Sequence, residues 1–60
     1  MDRHYFYDDT NLIIYHGTEF SSDPKLIYLG TSDNANWAMA AQVFTKNMKI
    51  DSGYKLKRLD

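Results

Sequence analysis

The chain has 60 residues, a formal net charge of −1, 43% apolar and 15% aromatic side chains, and no cysteine. A domain this small buries only about 60% of the surface its unfolded chain exposes, and here neither disulfides nor thiolate metal ligands support it. The apolar content excludes a disordered chain, the near-neutral charge argues against a dedicated polyanion binder, and no apolar run approaches the length of a membrane-spanning helix.

Charge is unevenly spread. Residues 1–30 hold Arg3 and Lys25 against Asp2, Asp8, Asp9, Glu19 and Asp23, whereas residues 31–60 hold five cations against Asp33, Asp51 and Asp60. The first residues lack the basic-then-apolar layout of a secretory leader, so a cytoplasmic setting is expected.

Taken in order, Arg3-His4-Tyr5-Phe6-Tyr7 reads as a short aromatic strand and Leu12-Ile13-Ile14-Tyr15-His16 as a second. Asp8-Asp9-Thr10-Asn11 between them suits a type I turn whose last residue, Asn11, takes the left-handed conformation. This three-residue loop pairs Asp8 with Leu12, Tyr7 with Ile13, Phe6 with Ile14, Tyr5 with Tyr15 and His4 with His16. Alternation then sends Phe6, Leu12 and Ile14 to one face and Tyr5, Tyr7, Ile13 and Tyr15 to the other. A two-residue loop would instead shift the pairing by one, place Phe6 beside Ile13 and scramble that assignment. The first set is the expected core, because each buried tyrosine hydroxyl needs a partner.

Residues 17–24 form a loop that is polar except for Phe20. Lys25-Leu26-Ile27-Tyr28-Leu29 is a third strand, with Ile27 and Leu29 inward and Tyr28 on the tyrosine side. The clearest signal lies next: Trp37, Ala40, Ala41, Phe44 and Met48 recur at i, i+3, i+4, i+7 and i+11, one face of an amphipathic helix. Capping chemistry places that helix at about 33–46, with Ser32 or Asn34 at its start and Asn47 at its stop. Met48-Lys49-Ile50 reads as a short strand or an irregular connector, and Tyr54–Leu59 as a last strand with one wet face. The expected fold class is α+β: one domain, 1–60, with a small antiparallel sheet of three or four strands in the order ββ–β–α–β. One helix packs Trp37, Ala40, Ala41 and Phe44 on one sheet face, against Phe6, Ile14, Ile27 and Leu29.

Candidate sites follow from that layout. Tyr5, Tyr7, Ile13, Tyr15 and Tyr28 are expected on the sheet face away from the helix, where tyrosines offer rigid contact area with a polar tip to a protein partner. Cross-strand aromatic pairing that only stabilises the sheet is the plainer explanation of the same residues. Lys49, Lys55, Lys57 and Arg58 supply phosphate contacts if the partner is nucleic acid, and otherwise a solvated edge that discourages strand pairing. His4 and His16, brought opposite one another, make at most half a metal site, so no metal and no cofactor is expected. Asp8-Asp9 is explained by turn chemistry. Neither a nucleophile elbow nor a phosphate-binding glycine loop is present, so an enzyme is not expected. The leading expectation is a small protein-interaction module, a regulator or inhibitor that binds another protein or a second copy of itself through the tyrosine face. The alternative is a nucleic-acid binder that uses the basic C-terminal strand.

Overall fold

The computed structural model describes residues 2–60. Strands β1 (Arg3–Asp8), β2 (Ile13–Gly17) and β3 (Ile27–Ser32), helix α1 (Trp37–Met48) and strand β4 (Lys55–Arg58) follow in chain order. They build the expected α+β architecture, with one four-stranded sheet in the order β3-β1-β2-β4. β1 pairs antiparallel with both β2 and β3, while β4 lies parallel to β2, so the sheet is mixed. Parallel neighbours cannot be joined by a tight hairpin. Here the chain leaves edge strand β3, runs through the helix over one sheet face, and re-enters as β4 at the opposite edge. The β1–β2 hairpin fills the space between the two.

The hairpin register differs from the sequence expectation by one residue. Tyr7 lies opposite Ile14, Phe6 opposite Tyr15, Tyr5 opposite His16 and His4 opposite Gly17. The loop contains residues 9–12, and Leu12, not Asn11, carries the positive φ of 54°. Asp8 explains the longer loop, since its carboxylate accepts from the backbone N–H groups of Thr10 and Asn11 and from the Asn11 side-chain amide. Those bonds tie Asn11 inside the turn and push the left-handed residue one position on. A one-residue slip exchanges the faces of one strand relative to its neighbour. Tyr5 and Tyr7 therefore turn toward the helix, and Phe6 turns away from it.

The core consists of Tyr5, Tyr7, Ile14, Leu29, Ala40 and Ala41, with Phe44, Ile50, Tyr54 and Leu56 packed around it. Ala40 and Ala41 let the helix lie close to the sheet, and Gly30 does the same from the other side. Gly30 has φ of +126°, and a Cβ built there would stand 3.3 Å from Phe44 Cε1. It sits at a β-bulge, where the register slips between Tyr5 and Phe6 and leaves Leu29 as the extra residue. Ile27, expected in the core, pairs with Tyr7 but is exposed on the edge strand beyond the helix's cover. Trp37 is half-buried at the first helical turn, and Met48 is exposed.

The helix begins later than its capping residues suggest. Asn34 N–H donates to Ser32 Oγ, Asn36 N–H to Asn34 Oδ1, and Met39 N–H to Asn36 Oδ1. These linked side-chain turns hold residues 33–35 out of the helix and make Asn36 the N-cap. Lys49, with φ of 56°, is the left-handed C-cap.

Candidate interaction face

One helix covers one side of the sheet and leaves the other open. Alternation puts His4 and Phe6 of β1 and Ile13 and Tyr15 of β2 on the open side. Tyr28 stands opposite Phe6, and Lys55 and Lys57 stand beside Ile13 and Tyr15. The tyrosines expected together are therefore divided. Tyr15 and Tyr28 lie on the open face with Ile13, whereas Tyr5 and Tyr7 are buried under the helix. The one-residue register slip is the physical reason for this correction.

Phe6, with no exposed surface, is sealed on the open side by an aromatic cluster. Its ring centroid lies 5.4 Å from that of Tyr28, 5.8 Å from Phe20 and 6.4 Å from His4. Phe20 also meets Tyr28 edge-on at 5.0 Å and His4 at 5.9 Å. His4 Nδ1 and the Tyr28 hydroxyl share a hydrogen bond of 2.9 Å. Phe20 comes from the loop after β2 and stays 60% exposed, while Tyr28 is 40% exposed. The loop thus folds back so that its one apolar residue forms a wet aromatic lid over Phe6. His4, Phe6 and Phe20 are members of this face that the tyrosine count misses. A lone apolar residue in a polar loop was the available signal for Phe20.

The basic residues are divided as well. Lys55 and Lys57 flank the open face, but Arg58 points to the helix side, where its guanidinium lies 4.9 Å from the Trp37 ring centroid. Lys49 sits at the helix C-terminus, away from both. No continuous basic track joins the four.

The two histidines also fall on opposite faces. His4 belongs to the open cluster, whereas His16 is buried, stacks with Tyr5 at 5.8 Å and meets the Trp37 ring at a tilt, with centroids 4.6 Å apart. Arg3 Nε donates to His16 Nδ1 over 3.1 Å. The Arg3 guanidinium also donates to both Asp60 carboxylate oxygens, and it lies 4.5 Å from the Trp37 ring centroid. Arg58 completes the cluster by donating to Asp60 Oδ1 at 3.2 Å. The Arg3 hydrogen bonds hold the Asp60 carboxyl well below the usual carboxylate range. Burial, and then the Arg3 charge, push the His16 imidazole below its usual value. Among the described residues no group of three or more His, Cys, Asp or Glu could hold a metal ion, and no helix is long and apolar enough to cross a membrane.

Comparison with protein-family models, curated proteins and solved structures finds no match to this chain. Fold and surface together define its class: a small α+β domain with one helix-covered sheet face and one open, aromatic sheet face.

Proposed function

We propose that the protein is a small protein-binding module that engages its partner through the open sheet face. The supporting observation is the exposed aromatic group built there, Phe20 and Tyr28 around buried Phe6, continued across the sheet by Ile13 and Tyr15. Solvated sheet faces are more cheaply made of threonine, lysine and glutamate, and contiguous exposed apolar surface is characteristic of interaction sites. Tyrosine suits such a site because it buries much area with few rotatable bonds. Lys55 and Lys57 form a charged rim beside Ile13 and Tyr15, which favours a partner carrying acidic groups around an apolar centre.

The test compares capture of proteins from the native cell by the parent and by the Tyr15→Ser, Phe20→Ser double variant. Tyr15 is half-buried and Phe20 shields Phe6, so the variant should melt below the parent, and capture is compared at a temperature where thermal melts show both folded. The expected result is a protein held by the parent in 0.5 M salt and lost by the variant. Equal retention by both would remove the open face as the interface.

The register of Lys55 and Lys57 beside Ile13 and Tyr15 favours a second reading, a sheet that stacks single-stranded nucleic acid on its aromatics. Binding of that kind weakens steeply with salt. Retention of a homopolymeric single-stranded DNA at low salt, lost on Lys55→Gln with Lys57→Gln, would favour it over a protein partner.

A further inference from the structure

We propose that Arg3, His16, Trp37, Arg58 and Asp60 form an acid-opened clasp that holds the C-terminal edge strand on the sheet. The clasp joins three parts of the chain. Arg3 comes from the first strand, Trp37 from the first turn of the helix, and Arg58 and Asp60 from β4 and the segment after it.

The key atom is His16 Nδ1. A guanidinium has only donors, so the 3.1 Å contact from Arg3 Nε requires a lone pair on that nitrogen. His16 is therefore the neutral tautomer with its proton on Nε2. Protonation at Nδ1 turns the acceptor into a donor facing another donor, and the hydrogen bond is lost.

The charge balance changes at the same time. The groups facing His16 are Arg3 and Tyr5 from β1, Trp37 from α1, Arg58 from β4 and Asp60 after it. Neutral His16 leaves two cations around one carboxylate and one indole ring. Protonated His16 makes three cations against the same carboxylate, in a place where the residue is only 2% exposed. Of these groups, the ones free to move apart are on β4 and the residues after it.

That strand is the weakest part of the sheet. β4 has four residues, of which only Leu56 is even partly buried. Its hold on β2 is bounded by Lys55 N–H donating to the Leu12 carbonyl and Leu59 N–H donating to the carbonyl of His16 itself. The residue that titrates thus accepts the last backbone bond of the strand it would release. Short exposed edges open at lower free energy than a core, so the clasp opens while β1, β2 and β3 stay paired. Opening uncovers the β2 edge and the Trp37 ring, and both then become available to another chain.

The sign follows from the burial of neutral His16. A histidine held below its ordinary value stabilises the closed form fully above pH 6.5, and that contribution is lost as pH falls through the folded-state value.

The test is a pH series of amide hydrogen exchange and His16 ring chemical shifts by NMR on the intact chain, from pH 8 to pH 4. The expected result is that Leu59 amide protection falls at least tenfold as pH drops below 6.5 and levels off once His16 in the closed form is protonated. Protection of strand-paired amides in β1 is retained over that range. His16→Gln supplies an acceptor that does not titrate, and it should hold Leu59 protection constant across the series. Unchanged Leu59 protection while His16 titrates overturns the proposal, as does simultaneous loss of β1 and β4 protection. Both outcomes are read from the parent protein, so the test stands even if the glutamine variant fails to fold.

Discussion

Tyr5→Phe is predicted to stabilise this protein. Tyr5 has no exposed surface, and its hydroxyl is the one fully buried side-chain polar atom without a hydrogen-bond partner among the described residues. Leaving a buried hydroxyl unpaired costs about 1–3 kcal/mol. Phenylalanine keeps the ring contacts with Phe44 at 5.1 Å and His16 at 5.8 Å and removes only the oxygen. The void of about 20 Å³ left behind costs about 0.5 kcal/mol at ~24 cal/mol per Å³. The net gain is about 0.5–2.5 kcal/mol, against a total stability of about 3–9 kcal/mol for a chain of this length. With a urea slope of about 1 kcal/mol per M, the lower end of the range for small domains, the unfolding midpoint should rise by about 0.5–2.5 M. Burial also pushes the Tyr5 phenol above its ordinary value of 10.0. A raised folded-state value means that this group's contribution is present below pH 10 and is lost as pH rises through the folded value. The phenylalanine variant should therefore lose less stability than the parent between pH 9 and pH 11. A midpoint lowered by 0.5 M or more at pH 7 would refute the reasoning, because it would mean that the hydroxyl makes a stabilising bond.

Gly30→Ala should lower stability by about 1–3 kcal/mol through backbone strain alone, with the 3.3 Å approach to Phe44 adding to it; a thermal melt unchanged within 2 °C would contradict the close helix packing. Asn36→Ala removes the N-cap acceptor of Met39 N–H and should cost about 1 kcal/mol in urea unfolding, whereas Ser32→Ala, outside the helix, should cost less. Equal losses would show that the helix starts earlier than Asn36.

The helix was legible from its side chains. Trp37, Ala40, Ala41 and Phe44 do form its sheet-facing side, because the 3.6-residue period is a property of the backbone itself. Its boundaries were less so. Ser32, Asn34 and Asn36 are all good caps, and only the chain of bonds among them decides which one starts the helix. The α+β class followed from one helical pattern among short strands. The parallel placement of β4 did not, since nothing local in Tyr54–Leu59 distinguishes pairing at one edge from the other.

The candidate face was half legible for a single reason. Each strand's alternation was correct within itself: Ile14 is inward with Ile13 and Tyr15 outward, and Phe6 lies on the opposite side from Tyr5 and Tyr7. What failed was the relation between β1 and β2, fixed by one loop residue. A left-handed Leu12 is unusual for a bulky side chain, and it arises because Asp8 holds Asn11 with its carboxylate. The expectation that buried tyrosines find partners also misled, since Tyr5 is buried without one. Arg3 and Asp60, 57 positions apart, carry no local signal of their pairing.

The most direct test of the open-face account is an NMR titration of the labelled protein with the protein that the parent captures and the Tyr15→Ser, Phe20→Ser variant loses. The account predicts the largest amide shifts at Ile13, Tyr15, Phe20, Tyr28, Lys55 and Lys57, with the outer helix residues Met39 and Val43 unmoved. Shifts centred on Met39 and Val43, with the open face unchanged, would contradict it.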